Sequence, residues 1–270
     1  MGAKRPEQPE EIPMLPPDFA ATFARTGLYL HRAHAGPIRQ FQVLGERACG
    51  TNMVRKAMDK NIELYRTEGL GWKHAVPHMV AIPDDLLVVA CVRNAASWAL
   101  SMHKRPWHSH PSLQSLEFSD FIRAPWQGIV DRASDFEELH PELAPHVEGA
   151  ELQFDRHPVT GLPFENLFAL RNLKQAALLG MLNRGCNVLV VKAELVQADQ
   201  AAFVAWMIEE LSLPLRGLRI KPVAQRLGNR FSRAIEIETP KTLSPEDRAF
   251  MLNALDLELE SALGYDYASG

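Results

Sequence analysis

Apolar residues in this chain gather into short unbroken runs, separated by stretches where they recur every three or four positions. Leu86 to Val92, LLVVACV, is the clearest run. It is apolar on both faces, as a central parallel strand must be. Phe41 to Leu44 and Val188 to Val191 read as shorter strands of the same kind, and Trp72 to Pro77 as a further one that the proline ends. Between them the spacing predicts helices. One starts at about Asn52 and runs to Leu64, with Met53, Ala57, Met58 and Leu64 on its apolar side. Others run from Asn94 to His103, from Asn166 to Arg184 with Gly185 just past the end, and from Asp199 to Leu211 before Pro214. Ser244-Pro245-Glu246-Asp247 opens a last helix that runs to Leu263: serine cap, proline in the first turn, acids next. Alternating strands and helices predict an α/β fold, with a central parallel sheet between two layers of helices.

The stretch from Lys104 to Phe168 breaks this alternation. It is rich in proline, histidine and tryptophan, with short helices expected at Ser119 to Arg123 and around Ala124 to Arg132. Such an excursion reads as a loop-rich helical insertion that binds a ligand or covers a site. Its Trp107-His108-Ser109-His110 run lacks a second ligand pair at metal spacing, so no metal site is expected. Residues 1–18, rich in proline and charge, read as a flexible segment ahead of a single domain spanning 19–270.

Composition narrows the function. At 270 residues and 46% hydrophobic, the chain can build one large core. A net charge of −4 argues against nucleic acid as a partner. Three widely separated cysteines, Cys49, Cys91 and Cys186, form no disulfide framework or zinc spacing and point to a reducing, cytoplasmic compartment. The N-terminus has no signal-peptide apolar core, and no run is long enough for an integral membrane segment.

The chemistry centres on Phe41 to Met58, FQVLGERACGTNMVRKAM: a strand, a loop bracketed by Gly45 and Gly50, and a helix that Thr51 or Asn52 can cap. Helix N-termini present unpaired N–H groups and the positive end of a dipole, which suits phosphate or sulfate. The G-x4-G spacing is that of a triphosphate loop, but Thr51 stands where such a loop needs lysine. The nearby cation is Arg47. Taken alone, the pattern is equally that of an ordinary strand-to-helix turn, and Cys49 within it reads as packing. The strongest strand then ends in Arg93-Asn94, where a triphosphatase would place a magnesium-binding aspartate, and Ser101 follows eight positions after Arg93. Arginine and serine together can clamp a phosphate.

With these two motifs the sequence resembles the sulfotransferases that use 3′-phosphoadenosine 5′-phosphosulfate (PAPS). Gly50-Thr51-Asn52 matches the family's loop for the 5′-phosphosulfate, and Arg93, Asn94 and Ser101 match its motif for the 3′-phosphate. Val188 to Leu195, GERACGTN, NLFALRNLKQ and LSPEDRAF…GYDY resemble further stretches of bacterial members, so the likeness spans Phe41 to Tyr267. The resemblance implies a three-layer P-loop-like fold. It also implies metal-independent, in-line transfer of a sulfuryl group from PAPS to a hydroxyl or amine. The acceptor, a small molecule or a glycan, would be recognised by residues 104–168. Loop residues Arg47, Ala48, Cys49, Gly50, Thr51 and Asn52 are the implied donor contacts, with Arg93 and Ser101. Arg226, Gly228 and Arg230 resemble the basic segment covering the 3′-phosphate. Two positions depart from the family: Ala48 where many members carry a cation for the leaving group, and Ala193 where an aromatic lies by the adenine.

Transfer also needs a base and positive charge on the leaving phosphate. His74, in Lys73-His74-x-x-Pro77, is the candidate base, and Lys73 can support Arg47; the alternatives are a surface or loop histidine and a solvated lysine. Arg171 and Lys174, three positions apart on one helix, share a face that meets an anionic acceptor or donor, or else lies in solvent. Two other classes stay open. A P-loop kinase or nucleotide-binding protein would need a magnesium carboxylate. A non-catalytic module on the same fold would bind nucleotide without turnover.

Overall fold

In the computed structural model, which describes residues 15–223 and 237–267, the sheet contains five strands: β1 (Leu28–His31), β2 (Gln40–Leu44), β3 (Tyr65–Arg66), β4 (Leu86–Val92) and β5 (Asn187–Lys192). Their spatial order is β1-β5-β4-β2-β3. Every residue of β4 is buried, because β2 and β5 pair with it on either side and helices cover both faces. These central pairings are parallel, as the apolar runs predict. The edge strand β1 pairs antiparallel with β5, Leu28 opposite Val191, so the sheet is mostly rather than wholly parallel.

Alternate residues of β4 feed two cores. Leu87, Val89 and Cys91 pack with Val54, Ala57 and Met58 of α2 (Thr51–Asn61). Leu86, Val88, Ala90 and Val92 pack on the other face with Trp98 and Met102 of α3 (Ala95–Lys104) and with residues of the long helix Leu167–Leu179. From β2 the chain steps outward to β3 and then returns to β4 on β2's other side. The carboxyl ends of β2 and β4 therefore flank a topological switch point, with α2 and α3 leaving toward opposite faces. Open α/β sheets bind ligands at that place.

Several expected elements differ. Helix α1 (Phe19–Thr26) and β1 were not apparent in the sequence pattern; Phe19 and Phe23 anchor α1, and Tyr29 donates to Asp18 at 3.0 Å. Trp72 to Pro77 is a turn rather than a strand, and Leu64 lies beyond α2. The insertion contains α4 (Pro111–Gln114), α5 (Phe118–Arg123) and short 3-10 turns; residues 124–132 are not helical. The helix expected to end at Arg184 is α6 (Leu167–Leu179), capped by Asn166 and followed by a 3-10 turn. After β5 come α7 (Ala193–Ala198) and α8 (Gln200–Leu211). Ser244 caps the last stretch as expected, accepting from Asp247 N–H at 3.0 Å. That stretch breaks at Leu255 into α9 (Pro245–Ala254) and α10 (Leu257–Ala262), because Asp256 caps a second helix.

Candidate functional site

The loop from Gly45 to Gly50 joins β2 to α2 at the switch point. Gly45 has φ +152°, and a Cβ there would stand 2.5 Å from the Cys91 carbonyl oxygen. No other residue fits. Gly50, with φ +82°, is the residue ahead of α2 in place of the expected Thr51 or Asn52 cap, and it offers no side-chain cap. Met53 N–H and Val54 N–H bond back to Gly50 O at 2.9 and 3.1 Å, and no Gly50 side chain competes for the N–H groups of Thr51 and Asn52. Ala48 also has positive φ, at 61°. That conformation costs about 1–3 kcal/mol for a residue with a side chain.

Three successive loop carbonyls are held from the β4 side. Trp98 Nε1–H donates to Arg47 O at 2.8 Å, Arg93 Nη1 to Ala48 O at 2.8 Å, and the Cys91 thiol to Cys49 O at 2.9 Å. Oxygens that would repel an anion are thereby occupied by donors.

Arg93 leaves β4 at its carboxyl end. Its Nη1 also lies 2.9 Å from Ser101 Oγ, and its Nε 3.1 Å from Ser97 Oγ. Spacing alone left the meeting of Arg93 and Ser101 open; two turns of α3 bring the serine back over the strand end. The mounting is firm. Arg171 Nη2 donates to Arg93 O at 2.7 Å, Glu194 accepts the Asn94 N–H at 2.8 Å, and the Asn94 side chain caps α3. Tyr267, from the GYDY tail, accepts from Ala95 N–H and donates to Glu260.

Lys73 and His74 close against the same loop. Gly45 N–H donates to Lys73 O at 2.9 Å, and His74 Nδ1–H donates to Gly45 O at 2.6 Å. These two bonds fasten the turn without extending into a ladder, so no strand forms. Lys73 Nζ reaches Asn52 Oδ1 at 2.8 Å, at the start of α2. Burial, reinforced by Arg55, lowers the Lys73 ammonium to about 8. Burial, with Lys73 next, holds the His74 imidazole well below its ordinary range. It is neutral at physiological pH, with Nε2 left to accept a proton.

Arg47 does not face the helix N-terminus. Its guanidinium is buried and pairs with Asp155 Oδ2 at 2.5 Å, over the rings of Trp72 and Trp126. Lys174 Nζ reaches Asp155 Oδ1 at 2.6 Å and His74 O at 2.9 Å, while Trp126 Nε1–H donates to Asp155 Oδ2 at 2.8 Å. Burial alone would raise the Asp155 carboxyl, but Arg47 and Lys174 outweigh it and hold it well below the usual range. Arg171 pairs with Glu260 at 2.6 Å. Both cations of α6 are therefore buried, at 0% and 3% exposure, and not on a solvated face. They brace the floor of the loop instead of presenting charge to solvent.

Three carboxylates of this floor, Glu46, Asp155 and Glu260, were not singled out in the sequence. Glu46 carried a signal, since it adjoins Arg47 inside the loop. Asp155 and Glu260 lie far along the chain from their partners and carried none. Arg226, Gly228 and Arg230 lie outside the described residues. Ala193 abuts Gly50, its Cβ 3.2 Å from where a Gly50 Cβ would stand. Among the described residues no group of three or more His, Cys, Asp and Glu could hold a metal, and no helix is long and apolar enough to cross a membrane. No family model, curated protein or solved structure matches this chain.

Proposed function

We propose that the protein is a PAPS-dependent sulfotransferase. The convergence of Arg93, Ser101 and the loop carbonyl of Ala48 on one guanidinium carries this reading. It joins a phosphate-sized clamp to a helix N-terminus across the switch point, which a single-phosphate loop does not need. In the proposed complex Gly50, Thr51 and Asn52 meet the 5′-phosphosulfate with backbone N–H groups, and Arg93 with Ser101 meets the 3′-phosphate.

The reaction moves a sulfuryl group from the donor's phosphate oxygen to an acceptor oxygen or nitrogen. The old S–O bond breaks, the new bond forms in line, and the acceptor loses a proton. His74 Nε2 takes that proton. Because Arg47 is committed to Asp155, Lys73 is the cation placed to neutralise the leaving phosphate beside Asn52. Residues 104–168, which supply Trp126 and Asp155 to the floor, stand next to this position and provide the acceptor wall.

The test is incubation with PAPS carrying a labelled sulfonate and a panel of phenols, alcohols, amines and sugars. Label transferred to an acceptor, lost in His74→Ala, supports the reading. Binding of the nucleotide with no transfer to any acceptor makes the chain a binding module; ATP hydrolysis with magnesium makes it a triphosphatase.

A further inference from the structure

The floor of the loop holds three buried cations, Arg47, Arg171 and Lys174, and three buried carboxyls, Glu46, Asp155 and Glu260. The carboxyls are not equivalent. Asp155 accepts from Arg47, Lys174 and Trp126. Glu260 accepts from Arg171 through both oxygens and from Tyr267. Glu46 is 4% exposed, and its Oε2 has no hydrogen-bond partner among the described residues. Arg171 Nη1, 3.9 Å from that oxygen, has none either. Glu46 also lines, with His74 and Lys174, a cavity of about 10 Å³, the volume one water requires.

We propose that Glu46 is the proton-holding residue of this site: it takes up a proton when the loop binds an anion and releases it when the anion leaves. The proposal rests on the loop being an anion site. With the loop free, an ionised Glu46 balances the three cations. Negative charge added at the first turn of α2 removes the need for that balance, and repels a carboxylate held in the same dry floor. A neutral carboxyl then serves better, and its O–H can donate within the cavity. The proton comes from solvent, and only an O–H bond forms or breaks.

The groups facing Glu46 agree with this. Burial raises its carboxyl to about 7, against the pull of Lys174 and Arg171 from α6 and Arg47 from the loop, and with a push from Asp155 of the insertion. His74 is neutral, and Cys49 beside it in the loop keeps its proton because burial raises the thiol. Glu260 of α10 is engaged by Arg171. Glu46 is thus the carboxyl whose charge is poised to change near neutrality.

Calorimetry in buffers of different ionisation enthalpy tests this, with two probes: 3′-phosphoadenosine 5′-phosphate, and inorganic sulfate, which does not itself titrate near neutrality. Wild type should take up roughly half a proton or more per ligand at pH 7.5, and its sulfate affinity should fall by up to about tenfold per unit above pH 7. Glu46→Gln, a permanent mimic of the neutral acid, should bind both probes without the proton uptake and the fall in affinity centred near pH 7, keeping only the fall near pH 8 that Lys73 contributes. Glu46→Asp should keep the linkage. Binding without proton uptake in wild type, or equal uptake in wild type and Glu46→Gln, overturns the proposal. Proton-linked sulfate binding without nucleotide binding leaves it standing and removes the PAPS reading. Binding of neither probe removes both.

Discussion

Arg93 Nη1 stands 2.9 Å from Ser101 Oγ and 2.8 Å from Ala48 O, so one guanidinium group ties the end of β4, the second turn of α3 and the loop after β2. The buried strand delivers the arginine, the cap at Asn94 sets the start of α3, and eight residues of chain return the serine. A charge-assisted phosphate contact at this position is worth roughly 1.5–3 kcal/mol per bond.

Gly45 and Gly50 should not tolerate side chains, for different reasons. Gly45→Ala puts a Cβ against the Cys91 carbonyl and should destabilise the fold by about 1–3 kcal/mol or more. Gly50→Val meets only the Ala193 Cβ, at 3.2 Å, and the flexible Met53 side chain, but its φ of +82° strains any side chain, so it should cost about 1–3 kcal/mol of stability and abolish nucleotide binding. Thermal melts and calorimetry check both; unchanged nucleotide affinity in Gly50→Val removes the loop from the site.

His74→Ala should lower turnover by roughly 10²–10⁴ while nucleotide affinity stays near wild type. His74 Nδ1–H is bonded to Gly45 O, so Asn at this position, able to keep that bond, should restore loop stability without restoring rate. Turnover near wild type in His74→Ala assigns the base elsewhere.

Removing Asp155 leaves Arg47 and Lys174 buried without a counter-charge. Asp155→Ala should destabilise by about 3–5 kcal/mol. The pH sign follows from its depressed carboxyl: the stabilisation is complete above the unfolded value of about 3.9 and is lost as pH falls through the lower folded value. Glu46 acts oppositely. Its raised carboxyl favours the fold at low pH, and that contribution declines from the unfolded value of about 4.3 toward 7. Acid melts of wild type and Asp155→Asn separate the two; identical acid transitions contradict this assignment.

The Lys73 ammonium, lowered to about 8, should lose its charge as pH rises through that value. Nucleotide affinity should fall over the same range in wild type. In Lys73→Arg it should persist to higher pH, since arginine stays protonated.

The loop and LLVVACV were legible because each is local: two bracketing glycines and a run of apolar residues; Arg93 and Ser101 were paired through the resemblance, since their spacing alone left the meeting open. The floor beneath them was not. Arg171 and Lys174 on an amphipathic helix look like solvent-facing cations, and only Glu260 and Asp155, brought in by distant chain, allow their burial. Likewise β1 is four residues long, and its place follows from antiparallel pairing with β5, which no spacing within Leu28–His31 encodes. Trp72 to Pro77 carries a strand's composition, yet Gly45 gives it a single backbone bond, to Lys73 O, and its other bond comes from the His74 ring.

The central claim is that Arg93 and Ser101 recognise a 3′-phosphate beside the loop. Competitive binding of 3′-phosphoadenosine 5′-phosphate against adenosine 5′-phosphate measures it directly, in wild type and in Arg93→Ala. Wild type should prefer the 3′-phosphorylated ligand by roughly 10²-fold or more, the equivalent of two charge-assisted bonds. Arg93→Ala should lose most of that preference. Equal affinities of wild type for the two nucleotides would contradict the account.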